Sequence, residues 1–409
     1  MAFPPVAPRA DHPVTYVTDV EGQWARLHSF LDDNPHASLQ GGSLVVAPGA
    51  TLVFGGDAID RGPHGRRIVR LLLEAKRRQP DQLVLLAGNR DINKLRLHSE
   101  LAGAPPPGAP SALHHDRPAL LRWILAHTMG ARDAFAHRGA ELRAAGAPAD
   151  DEDVVDSFAA DVAPGGLMAE YLRNACLAHR AGATLFLHGG VSAASLGVVP
   201  GRAPIADLDR WIAGLNTFYA DQIAAFTAQR IEHGVPGWSA IVAYQAPLPG
   251  TSRNQASVVY GRLADDHNDP RLPEPGVVEH LQRAGVTRLV VGHTPVGDVP
   301  AVLRQGGFTQ VMADNSHGRL EWGVQLRLDD EHLTWSGRCR LDDGAEVDVS
   351  ATIDDHPSPV GAVTLADGRL VKAALGAAWL LFRALPGRRV EQLAVADPGP
   401  LGPPPALAG

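Results

Sequence analysis

Through the first third of the chain, short β-branched or leucine-rich runs alternate with amphipathic stretches. Val14 to Thr18 predicts a strand and Gln23 to Leu31 a helix, because Trp24, Leu27 and Leu31 fall at helical spacing. Leu44 to Val46 and Leu52 to Phe54 flank a Pro-Gly turn and predict a hairpin. A helix over about His64 to Arg78 and a buried strand, Gln82 to Leu86, follow. Strand, loop and helix in repetition predict an α/β layered fold with loops gathered at the carboxyl ends of the strands.

From about Leu97 the pattern changes. A proline-rich break, APPPGAP, leads into long helical windows over Pro118 to Ala145 and Val154 to Ala181. These predict a helical insertion, about 99–181, in the α/β core. The strand Ala183 to Leu187 returns the chain to it, Asp207 to Ile231 predicts another helix, and Leu289 to Val291 and Gln310 to Ala313 predict further core strands. After Gly318 the pattern is all-β: Glu321 to Leu328, His332 to Arg338, Glu346 to Ile353, Val363 to Leu365, Trp379 to Leu385 and Val390 to Val395. The expected organisation is an N-terminal extension (1–13), a large domain (14–328), a β-rich C-terminal unit (329–396) and a flexible Pro/Gly tail (397–409).

Composition narrows the function classes. The balance of 37 basic against 45 acidic residues, a formal charge of −8, argues against a nucleic-acid polymer as partner. Two cysteines in 409 residues exclude a disulfide scaffold and suit a reducing cytoplasm. No apolar run approaches the ~20 residues of a membrane span, and MAFPPVAPRADHP lacks the pattern of a secretory signal. The expectation is a cytoplasmic protein with no membrane partner.

Five short motifs each lie just after a predicted strand: TDVEG (Thr18 to Gly22), GGDAIDRG (Gly55 to Gly62), GNRD (Gly88 to Asp91), HGG (His188 to Gly190) and GHTP (Gly292 to Pro295). Strand ends hold side chains rigidly, and glycine beside each polar residue lets backbone crowd around a small site. Asp19, Glu21, Asp57, Asn89, His188 and His293 together offer carboxylate, amide-oxygen and imidazole ligands, a set suited to hard or borderline divalent metals. A bridging carboxylate with two or three ligands on each side makes a two-metal site, which clamps attacking and leaving oxygens in phosphoryl displacement and generates hydroxide near neutral pH. Asp57, central in the order, is the expected bridge. Arg61 follows it by four residues and offers a bidentate fork for phosphate oxygens. Taken singly, each residue has a plainer reading: Asp19 as a helix N-cap, Glu21 as a first-turn carboxylate, Asn89 as a turn residue, and His188 or His293 as a structural histidine.

The five motifs in this order resemble the calcineurin-like metallophosphoesterases, especially the branch holding serine/threonine phosphoprotein phosphatases and symmetrical diadenosine tetraphosphatases. GDAIDRG matches that family's second motif in full, and HGG, GHTP and the later Ala-Asp-Asn (Ala313 to Asn315) match well. The resemblance covers about Val14 to Leu328. It implies a four-layer α/β/β/α sandwich with a helical insertion, to which the small C-terminal β-rich unit is added. It also implies two divalent metal ions, the first held by Asp19, position 21 and Asp57, the second by Asp57, Asn89, His188 and His293. Arg61 would bind substrate phosphate, and Asp60 would orient a neighbour.

Two positions depart from the family, and both lack a histidine. Glu21 stands where the family has a metal-binding His; as a ligand it would give the first metal an all-oxygen set and favour Mn2+, with Mg2+ or Fe2+ possible, over Zn2+. Arg90 replaces the third motif's His. Arginine stays protonated and cannot act as a general acid, but it can stabilise developing negative charge, with Asp91 expected to pair with it. Arg262, with Arg253, lies where the branch places a second phosphate-binding arginine; Tyr260 could contact a leaving group, and Asp314 and Asn315 could support His293. The expected function is metal-dependent hydrolysis of a phosphomonoester or phosphoanhydride, on a small molecule, nucleotide or phosphoprotein. The alternative is a phosphate- or nucleotide-binding module that keeps the fold without turnover.

Overall fold

The computed structural model describes residues 12–329, 332–354, 356–387 and 389–408. Residues 1–11 of the expected N-terminal extension lie outside the described residues. The strands Val14–Val17, Thr51–Phe54 and Leu83–Leu85 run parallel, with Val14 opposite Thr51 and Leu52 opposite Leu83. Parallel neighbours require crossovers, and the helices Trp24–Asp32 and Gly65–Arg78 lie in these connections. The hairpin expected between Leu44–Val46 and Leu52–Phe54 does not form. Ser43–Val46 turns back on Ala37–Gln40 instead. Thr51–Phe54 is buried at every position after its first, and such a strand finds its partners inside a parallel sheet.

Gln325–Leu328 adds antiparallel to Val14–Val17, and Leu333–Arg340 and Glu346–Ile353 extend that sheet outward. The boundary expected at 328 therefore runs through a continuous sheet. A second sheet has the order Ala301–Gln305, Phe308–Asp314, Arg288–Pro295, Thr184–Leu187 and Ala178–Ala181. Its central pairs, Arg288 with Thr184 and Arg288 with Thr309, are parallel.

Period-two alternation divides the core into layers. Val14, Tyr16, Val53, Phe186, Val290, Val311 and Leu326 share one apolar cluster, where Tyr16 stacks on Phe186 with centroids 5.8 Å apart. Their neighbours Val17, Leu52, Phe54, Leu185, Leu187, Leu289 and Val291 join helix residues Leu27, Phe30, Ile68, Leu72 and Leu281 in another. One face of each sheet meets the other sheet and the opposite face meets helices, which gives the four-layer α/β/β/α order expected.

Between the third and fourth motifs run helices Arg117–His127, Ala134–Ala144, Asp151–Val162 and Leu167–Arg173. The single window Val154 to Ala181 is divided. Pro164, Gly165 and Gly166 end one helix and open the next, and Ala178–Ala181 is a strand paired with Thr184–Leu187. A third sheet, in the order Arg389–Val395, Ala378–Leu385, Leu370–Leu375, Val363–Thr364 and Leu401–Gly402, forms the β-rich end. The segment after 396 is docked rather than loose. Leu401 pairs with Thr364, Leu272 N–H donates to Pro405 C=O, and Leu407 N–H to Leu272 C=O, so tail backbone groups find partners on the body. No helix among the described residues is long and apolar enough to cross a membrane.

Candidate functional site

All five motifs lie at the carboxyl ends of parallel strands, where the two sheets meet. In the first sheet the pairing continues into the loops: Asp19 N–H donates to Gly56 C=O, and Glu21 N–H to Asp57 C=O. The backbone is tightly folded there. Among the described residues eight non-glycine residues have positive φ, and five belong to the motifs: Asp19, Glu21, Asp57, Asp60 and His293. Each such residue costs of order 1–3 kcal/mol and persists where surrounding structure holds it, commonly at functional sites. Glycine permits the crowding. A Cβ on Gly88 would lie 2.1 Å from Asp57 Oδ1, and one on Gly292 would lie 2.3 Å from Asp19 Oδ2.

Asp19, Asp57 and His188 are buried and offer ligand atoms within 4.8 Å of one another. His188 Nδ1 lies 2.8 Å from the Gly55 carbonyl, so this nitrogen carries the proton in the neutral ring. The lone pair of Nε2 then faces Asn89 Oδ1 at 3.2 Å and Asp57 Oδ1 at 3.4 Å. Asn89 Oδ1 also lies 2.8 Å from Nδ1 of His293. Lone pairs converging in a buried space are what a cation accepts. The residues present therefore fit a divalent metal.

Electrostatics points the same way. Burial, with Asp314 and Asp57 close by, pushes the Asp19 carboxyl well above its ordinary range. Burial, then Arg262 and His188, holds His293 well below the usual imidazole value. Burial also raises Asp314. A metal ion among such groups would reverse the cost of charging the acids and use the neutral imidazoles as ligands.

Glu21 reaches the site but faces arginines. Its Oε1 is 2.6 Å from Arg90 Nε and its Oε2 is 2.9 Å from Arg61 Nε. Burial pushes its carboxyl up to about 7, against the pull of Arg90 and Arg61. Arg90 Nε lies 3.5 Å from Asp57 Oδ2 and its Nη1 lies 3.6 Å from Asp60 Oδ2, while Nη1 donates to Met129 C=O at 3.2 Å. Burial opposes its charge, but Glu21, Asp60 and Asp57 outweigh that and hold it firmly protonated.

Asp91 does not pair with Arg90 as expected. Fully buried, it accepts from Asp57 N–H and Gly88 N–H through Oδ2 and from Ala58 N–H through Oδ1. At the third position of the helix Asn89–Asn93 its side chain reaches back to the Gly88 N–H, and so fixes the loop that carries Asp57. Asp60 does orient a neighbour: Lys94 Nζ lies 2.7 Å from its Oδ2. Lys94 was not foreseen, although its place four residues after Arg90 put it on the same helical face.

A cleft of about 650 Å³ opens over these groups, lined among others by Asp19, Asp57, Asn89, Arg90, Tyr260, Arg262 and His293. Tyr260 packs beside His293 with ring centroids 5.0 Å apart, and Arg262 donates to Asn268 Oδ1 at 3.0 Å. Arg253 instead ties down a loop, donating to the carbonyls of Ala264 and Asp265. Asp314 accepts from Ser316 N–H and Asn315 donates to Gly297 C=O, so both brace the segments around His293 rather than its ring.

A family model described as calcineurin-like phosphoesterase matches residues 12–297. No curated protein matches the chain. Among solved structures, the chain is similar to a cold-active protein-tyrosine phosphatase of a psychrophilic Shewanella species, with TM-score 0.46 and 17% identity over 84% of this chain and 83% of that one. It is also similar to a protein serine/threonine phosphatase from Saccharomyces cerevisiae, itself similar to human phosphatase PP5, with TM-score 0.39 and 12% identity over 86% and 82% of the two chains. A protein named as a diadenosine tetraphosphatase gives TM-score 0.29 and 14% identity, over 84% and 96%.

Proposed function

Because the chain belongs to the calcineurin-like phosphoesterase family, we propose that this site hydrolyses a phosphomonoester or phosphoanhydride with a divalent metal held by Asp19, Asp57, Asn89, His188 and His293. The observation that carries the reading is the meeting of Asp19, Asp57 and His188 donor atoms within 4.8 Å, beside a cleft lined by Asp19, Asp57, Arg90 and Arg262. A divalent metal there supplies Lewis acidity toward a phosphoryl oxygen and makes water nucleophilic near neutral pH. The oxygen donors of the set, Asp19, Asp57 and Asn89, suit manganese, or magnesium or iron(II), better than zinc.

The chain's own residues account for binding and charge. Arg90 and Arg262, with Arg61 behind Glu21, receive phosphate oxygens and stabilise the negative charge that develops on them. Asp91 keeps the Asp57 loop in place, and Asp60 with Lys94 steadies Arg90. Arg90 cannot protonate a leaving oxygen, which favours substrates whose leaving group needs no proton. Trp238, Val242 and Tyr260 give the cleft an apolar side for the organic part of the substrate, which could be a small molecule, a nucleotide or a phosphoprotein side chain. The free thiols of Cys176 and Cys339 support the reducing cytoplasm as its place of work.

The test is hydrolysis of p-nitrophenyl phosphate with added manganese, with Asp57→Asn as control. Turnover well above that control is expected. Phosphate binding with no turnover above it would make the chain a binding module.

A further inference from the structure

The donors of the site fall into two groups, and only one of them is open to a cation. Asp19, Asp57 and His188 converge, and Asn89 Oδ1 joins His188 to His293. Asp57 Oδ2 and Glu21 Oε1 are the carboxylate oxygens left that could hold a second ion. Between them lies Arg90 Nε, 2.6 Å from Glu21 and 3.5 Å from Asp57. The other Glu21 oxygen is taken by Arg61. The Arg90 side chain is only 14% exposed and is held by Met129 C=O and Asp60 as well. A second dication here would have to displace a buried guanidinium and lie against another.

The two departures from the family pattern therefore explain each other. Without Arg90, Glu21 would keep Arg61 as a cationic partner but lose its shortest contact, and without Glu21 the buried Arg90 would keep only the longer contacts to Asp57 and Asp60 as ion pairs. Together they form a pair. We propose that this chain binds one divalent metal rather than two, and that the guanidinium of Arg90, fixed by Glu21, takes the place of the second and supplies a single positive charge there. This rests on the hydrolase reading above. Arg90 brings a permanent positive charge and a planar fork of N–H donors to the phosphoryl oxygens. It brings no Lewis acidity and no proton transfer, so nucleophile activation falls to the single metal site.

The experiment is metal stoichiometry on the full chain, stripped by chelation and reconstituted with manganese alone. It is read by calorimetric titration, elemental analysis and electron paramagnetic resonance. One manganese per chain is expected, with the hyperfine pattern of an isolated ion. The Glu21→His/Arg90→His double variant is expected to take up two, with an exchange-coupled spectrum. Two ions per wild-type chain, or a coupled spectrum from it, would overturn the proposal and leave the hydrolase reading intact. One ion bound with no hydrolysis would sink the hydrolase reading and leave the stoichiometry standing. No binding at all would sink both. A double variant that folds and still binds one ion would overturn the role given to Arg90. The wild-type measurements decide the metal count even if that variant does not fold.

Discussion

At position 90 a guanidinium lies among the carboxylates of Glu21, Asp57 and Asp60, largely out of water. Removing one member of such a buried pair leaves the other uncompensated, which typically costs about 3–5 kcal/mol. Arg61 still faces Glu21 when Arg90 is gone, so Arg90→Ala is expected at the lower end, about 3 kcal/mol, by urea unfolding. Glu21→Gln/Arg90→Gln should lose less than the sum of its single variants, because the two share one interaction; strict additivity would show that the pair is not coupled. On activity, Arg90→Ala should lower kcat/KM by about 10²–10³, as removal of a charge-stabilising donor does. Because the wild type has no acid at this position, aryl phosphates and phosphoanhydrides should turn over much faster than alkyl monoesters. Equal rates on both classes would place a proton donor elsewhere in the cleft. The sequence made Asp19, Asp57, Asn89, His188 and His293 legible because each follows a strand end. It could not reveal that Glu21 faces arginines, since the 21–90 contact exists only once two loops of one sheet are brought together.

Among the elements, the core strands were legible from their apolar runs, and their partners were less so. The run Leu52 to Phe54 has the same pattern whether it closes a hairpin or enters a parallel sheet, and only the burial of both faces decides. Three strands of the third sheet were legible, but Leu370–Leu375 and Leu401–Gly402 were not, nor was the sheet's role as a brace for the segment after His293. Lys372 is fully buried on the strand Leu370–Leu375 and donates to the carbonyls of Val296 and Val299, with its Nζ 3.9 Å from the Phe382 ring centre. Gln392 Nε2 donates to Asp298 Oδ2 at 2.7 Å and its Oε1 accepts from Asp298 N–H at 3.0 Å. Burial brings the Lys372 amine down from 10.5 to about 7, outweighing the opposing pull of the nearby Asp298 carboxylate. Between about pH 7 and 10.5 the unfolded chain then binds more protons at this position than the folded one. Stability from this group therefore rises with pH across that window and is lost as pH falls through it. Lys372→Met should flatten the alkaline rise in Tm; an unchanged slope would show that Lys372 is not its source. Gln392→Ala removes the acceptor of the buried Asp298 N–H and should cost about 1–3 kcal/mol.

For the whole molecule, a formal charge of −8 masks an uneven distribution. Buried acids at the junction of the two sheets raise one another's pKa, and a bound cation would relieve that repulsion. Metal should therefore stabilise the entire fold, because Asp19 and Asp57 come from one sheet and His188 and His293 from the other. An ion that joins them bridges the two halves of the molecule. A ligand that binds only the folded chain contributes about 2.7 kcal/mol at roughly a hundredfold over its Kd, enough to move Tm by a few degrees in a protein of this size. Chelation should lower Tm by that amount, and manganese should restore it in a concentration-dependent way. Asp57→Asn should abolish the response, since it removes a donor carboxylate, whereas Lys372→Met, which removes no donor, should keep it. Zinc is expected to support less turnover than manganese in the same preparations. A zinc-only enzyme would show that the oxygen donors do not set the metal preference, and a Tm indifferent to every metal would mean that the convergent lone pairs hold no cation.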